Sequence, residues 1–159
     1  MTLHFILNGE DVEISSGPNQ RLICILREKF SLFSSKSGCL CGNCGACSVI
    51  FNGAVSPACL IPAFRLENSE IITLEGFYQQ DEYKDISIGF SLAGVESCGY
   101  CDAGRILNTE LLLGQSLKPS REAFSAAFRG IRCRCIEEES LYQGIVAAGL
   151  ARQKRLYGR

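Results

Sequence analysis

The chain has 159 residues, enough for one ordinary domain or two small ones, with 47% hydrophobic residues, 21% charged residues and a formal net charge of −1. That near-neutral balance gives no electrostatic basis for binding nucleic acid, and no stretch approaches the roughly 18 apolar residues of a membrane span. Ten cysteines, with no basic n-region or sustained apolar run in Met1-Thr2-Leu3-His4-Phe5, argue against a secreted disulfide scaffold and for metal ligation in the cytoplasm.

In chain order, residues 3–14 are expected to form a β-hairpin. Leu3, Phe5 and Leu7 alternate with polar or outward positions, and Asn8-Gly9 supplies a two-residue turn before Val12 and Ile14. Asn19 is expected to cap a helix running to about Phe33, with Leu22, Ile25, Leu26 and Phe30 on its apolar face. Ser48–Phe51 and Val55–Cys59 read as strands joined at Asn52-Gly53, and Glu70–Leu74 as a last strand. This order is that of a β-grasp ferredoxin-like domain over residues 1–76. The polar run 77–85 is expected to be a linker. From 86 to 159 the pattern becomes helical. Helices are expected at Ile86–Val95, from an Asp102 cap through Ile106, Leu107 and Leu111, from a Ser120 cap through Phe124, Ala127 and Phe128, and at about Ser140–Gln153 with Leu141, Ile145 and Leu150 inward. The fold class is therefore α+β, a β-grasp domain followed by a four-helix bundle. The basic tail Arg152, Lys154, Arg155 and Arg159 is expected to be a solvated helix end.

The chemistry concentrates in Ser37–Cys47, where four cysteines and three glycines fall within eleven residues. Cys39, Cys44 and Cys47 form C-x4-C-x2-C, the plant-type spacing for a [2Fe-2S] cluster, and Cys59 is the nearest candidate for the fourth thiolate. The glycines suit a loop that turns tightly and brings backbone N–H groups close to sulfur. A second set, Cys98-x2-Cys101 and Cys133-x-Cys135, falls at expected helix ends with 31 residues between its halves. Eight paired thiolates in one chain are hard to explain without two metal centres.

These motifs resemble, over nearly the whole chain, the two-cluster iron–sulfur subunit of the molybdenum hydroxylases, the xanthine dehydrogenase and aldehyde oxidase family. The matching residues are Lys36, Gly38, Cys39, Cys44-Gly45-Ala46-Cys47-Ser48-Val49 and Cys59, then Cys98-Gly99-Tyr100-Cys101, Gly104, Arg132-Cys133-Arg134-Cys135, Tyr142 and Ile145. The resemblance implies two [2Fe-2S] clusters. Electrons would travel from a molybdopterin site on a large partner subunit to the cluster at Cys98, Cys101, Cys133 and Cys135. From there they would pass to the cluster at Cys39, Cys44, Cys47 and Cys59, and then to FAD on a medium subunit. No catalytic residue is expected on this chain itself. The chain departs from the family pattern at Ser97 (usually Gln), Asp102-Ala103 (usually Thr-Pro), Gly130-Ile131-Arg132 (usually Gly-Asn-Leu) and Glu137–Glu139. All these changes fall on the side expected to face molybdopterin.

Other chemistries are open at this point. Four cysteines also suit structural zinc, which would make the chain an interaction module, and labile clusters would suit a redox sensor. Cys41 reads as a neighbour, a substitute for Cys39 or an oxidation-sensitive thiol. Cys24 reads as a small buried hydrophobe. His4 is the only histidine, which excludes a Rieske centre, and its outward strand phase points to the surface. Arg132 and Arg134 flank cluster ligands and read either as charges that raise a cluster potential or contact a partner, or equally as simple solvated charges.

Overall fold

Two Asn-Gly turns frame the sheet in the computed structural model, which describes residues 1–131 and 133–158. β1 (Thr2–Leu7) and β2 (Glu10–Ser15) pair antiparallel around Asn8-Gly9. β3 (Ser48–Phe51) and β4 (Ala54–Pro57) pair around Asn52-Gly53. All four turn residues have positive φ, the requirement of a type I′ hairpin. β5 (Glu70–Ile72) enters between the hairpins, parallel to β1 and antiparallel to β3, giving the order β2-β1-β5-β3-β4. With α1 (Leu22–Lys29) laid across it, this is the β-grasp arrangement expected from the sequence.

The first core lies between the sheet and α1. Leu3, Phe5 and Leu7 of β1 meet Leu22, Ile25 and Leu26, with Val49, Phe51 and Ile71 completing the layer. The helix is shorter than its apolar pattern predicts. Asn19 does not cap it: Leu22 follows an uncapped Arg21, and Ser31 at φ 54° ends the run after Phe30. Phe33 is left half exposed beneath the Arg27 guanidinium, 5.0 Å from its ring centre.

The run 77–85 is not an open linker. β5 ends at Ile72, and α2 (Leu74–Phe77) follows at once, with Leu74 and Phe77 buried. Asn8 ties this start down: its Oδ1 accepts the Thr73 N–H at 2.8 Å. α3 (Asp81–Leu92) then begins five residues before the apolar signal at Ile86. Its polar first turns have partners elsewhere in the fold, which local periodicity cannot reveal.

α4 (Asp102–Gln115), α5 (Arg121–Phe128) and α6 (Glu138–Tyr157) complete the helical half. Ser120 caps α5 as expected, its hydroxyl accepting the Ala123 N–H at 3.2 Å. Leu111 is only half buried, and Leu112 and Leu113 fill its expected place. Leu150 is 53% exposed, because Ala148 and Gly149 face inward instead. The small residues let α6 approach α3 closely: a Cβ built on Gly89 would lie 2.5 Å from the Ala148 Cα.

A second core joins the helices to the back of the sheet. Ile50 of β3 packs with Leu74, Phe77, Ile106, Leu107 and Ile145. β3 is thus buried on both faces, Val49 and Phe51 towards α1 and Ile50 towards the helices. No helix among the described residues is long and apolar enough to cross a membrane.

The C-terminal basic residues are not simply solvated. Arg152 is buried between Asp85 of α3 (3.3 Å) and Glu110 of α4 (2.5 Å), and Arg155 pairs with Asp85 (2.7 Å) and Glu82 (3.1 Å). Arg159 lies outside the described residues.

Candidate metal centres

The first cysteine set is assembled by a hairpin. Cys39, Cys41 and Cys44 lie in the loop from α1 to β3, and Cys47 directly precedes β3. Strand register brings the fourth member in. β3 pairs with β4 so that Ser48 opposes Pro57, the Ala58 N–H donates to the Cys47 carbonyl at 3.0 Å, and a 3₁₀ turn over Ala58–Leu60 presents Cys59. Cys47 and Cys59 are buried, Cys44 is half-buried, and Cys39 and Cys41 are exposed.

The loop surrounds its sulfurs with amides. The Asn43 N–H donates to Cys39 Sγ at 3.1 Å, and the Cys39 N–H reaches Cys44 Sγ at 3.5 Å. Hydrogen bonds from the Cys41 and Asn43 backbones hold the Cys39 thiol down to about 6, so it is a ready thiolate. Burial pushes Cys47 up to about 12, with the adjacent Cys59 sulfur adding to the rise. Cys41 sits beside Cys39, whose side chain raises the Cys41 thiol.

The second set occupies two inter-helix loops. Cys98 and Cys101 lie in the turn from α3 to α4, Cys101 at the N-terminal end of α4, and Cys133 and Cys135 lie between α5 and α6. Fold packing closes the sequence gap: Cys98 Sγ and Cys135 Sγ are 3.3 Å apart, and the Cys135 N–H points at Cys133 Sγ at 3.4 Å. The Tyr100 N–H lowers Cys98, with the Cys135 thiol assisting. Burial pushes Cys101 up to about 11, and the neighbouring Cys133 sulfur adds to it.

Sequence reasoning missed Arg105. It stands one turn into α4, 1% exposed, with Nη1 donating to Cys133 Sγ at 3.2 Å. Its other terminal nitrogen pairs with Asp102, which in turn accepts a 3.1 Å hydrogen bond from the Ser97 hydroxyl. Asp102 is therefore a partner for Arg105 rather than the expected cap of α4. A basic residue three positions after an acidic one at a helix start was the available signal. Cys133, however, is 28 residues away in sequence. Of the arginines expected beside the ligands, Arg134 is exposed and Arg132 lies outside the described residues. Cys24 is half-buried against the first core, and His4 is exposed, 3.8 Å from Glu13.

The two sets meet. A Cβ built on Gly104 would lie 2.6 Å from the Gly45 carbonyl oxygen, so α4 rests directly on the first cysteine loop. The Tyr100 hydroxyl donates to the Ser37 carbonyl at 3.1 Å, crossing from the second set to the first. Cys44 lies near enough to help raise the Cys101 thiol.

The arrangement suits binuclear clusters. The sulfurs are neighbours within each set, Cys39 with Cys44 and Cys47 with Cys59 in the first, and Cys135 with both Cys98 and Cys133 in the second. A [2Fe-2S] cluster asks for two thiolates on each iron. The donors are all sulfur, and amides point at them, as such a cluster favours.

A β-grasp sheet joined to a helical unit, with a cysteine set on each side of their contact, defines an iron–sulfur electron-transfer protein. Residues 73–149 match the [2Fe-2S] binding domain family. The chain is 42% identical over 135 residues to the nicotinate dehydrogenase small FeS subunit of Eubacterium barkeri, spanning 85% of this chain and 86% of that one. It is 31% identical over 140 residues to the xanthine dehydrogenase iron-sulfur-binding subunit of Escherichia coli O157:H7, spanning 85% and 86%. The solved quinoline 2-oxidoreductase from Pseudomonas putida 86 superposes with a TM-score of 0.88 at 29% identity, covering 99% of this chain and 97% of that chain. The chain belongs to the family of small iron–sulfur subunits of the molybdenum hydroxylases.

Proposed function

We propose that Cys39, Cys44, Cys47 and Cys59 hold one [2Fe-2S] cluster, that Cys98, Cys101, Cys133 and Cys135 hold a second, and that the chain links two partner subunits. Each cluster, when bound, supplies reversible one-electron chemistry. The chain then serves as a conduit from a molybdopterin-bearing large subunit, beside the second set, to an FAD-bearing medium subunit beside the first. The residues divide as two domains, the first ending near residue 76 and the second opening with α3 at Asp81, and the complex works in the cytoplasm. The 42% identity to a nicotinate dehydrogenase subunit, against 31% to a xanthine dehydrogenase subunit, favours a pyridine-type N-heterocycle as the substrate of the large subunit.

The observation that carries this reading is the contact between the two cysteine loops, Gly104 on the Gly45 carbonyl and Tyr100 on the Ser37 carbonyl. A conduit needs its two carriers close and held at fixed spacing, and a backbone-to-backbone contact provides both. Iron and sulfide quantification with EPR on the dithionite-reduced chain tests it. The expected result is two distinct signals and about four irons per chain. One signal with about two irons removes the second cluster and breaks the conduit. Zinc in place of iron after anaerobic preparation replaces the conduit with an interaction module.

A further inference from the structure

Two departures from the family pattern, Ser97 and Asp102, join Arg105 in one hydrogen-bonded unit. The Ser97 hydroxyl donates to Asp102 Oδ2, Asp102 Oδ1 accepts from Arg105 Nη2, and Arg105 Nη1 donates to Cys133 Sγ at 3.2 Å. Arg105 is 1% exposed, so its charge is poorly screened, while Asp102 keeps a quarter of its side chain exposed. Burying an arginine requires an anionic partner, and Asp102 meets that requirement with Ser97 fixing its orientation. The hydrogen bond that the unit makes to a ligand sulfur comes from its positive member.

We infer that Arg105 is a tuning residue for the cluster at Cys98, Cys101, Cys133 and Cys135, raising its reduction potential through the hydrogen bond and charge placed on Cys133. This rests on the second set holding a cluster. Reduction moves one electron from the molybdenum side of the complex onto an iron of that cluster, converting one ferric ion to ferrous and adding one negative charge. Oxidation hands the same electron to the first cluster. A cation and N–H donor against a ligand sulfur stabilise the more negative, reduced state. Asp102 pairs with the other terminal nitrogen of the guanidinium, directly follows the ligand Cys101, and carries the opposing charge. Arg105 and Asp102 therefore act on the potential with opposite signs. A higher potential at this cluster makes it the better acceptor from the molybdenum side.

EPR-monitored redox titration of the intact chain tests the assignment, because each cluster gives its own signal. In Arg105→Met the second cluster's midpoint is expected to fall by the equivalent of a tenfold change in its reduced-to-oxidised ratio, about 59 mV for one electron, with the first cluster unmoved. In Asp102→Asn the same midpoint is expected to rise. Arg105→Lys, which keeps the charge and one donor, is expected to lie between Arg105→Met and the parent. An unchanged midpoint in Arg105→Met with its signal intact overturns the inference, as does a fall in Asp102→Asn. If Arg105→Met loses the signal, the direction of the shift in Asp102→Asn decides. A parent chain with one signal only overturns the cluster assignment instead, before any variant is made.

Discussion

Thiol acidity divides each cysteine set into early and late ligands. Cys39 and Cys98 are exposed and held below the ordinary thiol value by backbone N–H groups, whereas burial lifts Cys47 to about 12 and Cys101 to about 11. Cys39, at about 6, offers thiolate near neutral pH, whereas Cys47 and Cys101 give up their protons only to a metal. Loading must therefore release protons, and affinity falls as pH falls. Iron and sulfide uptake by the cluster-free chain, followed by visible absorbance under anaerobic conditions, is expected to strengthen between pH ~6 and ~9. Uptake indifferent to pH would contradict these acidities. The ligand residues themselves were legible, because cluster spacing is local in both C-x4-C-x2-C and C-x2-C. Arg105 was not legible as a neighbour of Cys133, because only the packing of α4 against the α5–α6 loop brings them together.

Helix boundaries were read well where the apolar face or a cap decided them, and poorly where charges did. Ser120 marked the start of α5, but the start of α3 at Asp81 looked like a polar linker. Its acidic residues answer Arg152 and Arg155 from the far end of the chain, a pairing that no local window contains. Replacing Arg152 by Met leaves the buried Asp85 with Arg155 alone and strands Glu110. The expected loss is about 3–5 kcal/mol, towards the lower figure because Arg155 remains, read as a reduced urea midpoint. The α3–α6 crossing makes a sharper demand. Gly89→Ala places a methyl 2.5 Å from both the Ala148 Cα and the Gly144 oxygen, backbone atoms that cannot rotate aside. Destabilisation of about 1–3 kcal/mol is expected, with the melting temperature as readout. An unchanged melting temperature would show that the helices can part without cost.

The whole molecule is held at the contact between its halves, and that contact was the least legible feature. The sequence separated a strand-rich half from a helical half, and the resemblance supplied their order, yet the glycine seat between α4 and the first cysteine loop depends on two residues 59 positions apart (Gly45 and Gly104). Gly104→Val drives a side chain into the Gly45 carbonyl, already 2.6 Å from a built Cβ, and must push the two sets apart. Weaker magnetic interaction between the two reduced clusters is expected by pulsed EPR, with both signals retained. An interaction equal to the parent's would mean that the seat does not set the spacing.

The double burial of β3 carries a consequence for how the protein comes into being. Ile50, Leu74 and Phe77 have no cover until the helices arrive, and those helices follow the sheet in chain order, so they leave the ribosome after it. A newborn first half therefore exists for a time with a greasy back and an exposed loop of thiols, a state prone to aggregation and oxidation. Cells that make this protein are expected to shield that interval with chaperones, and to add iron after synthesis has finished rather than during it.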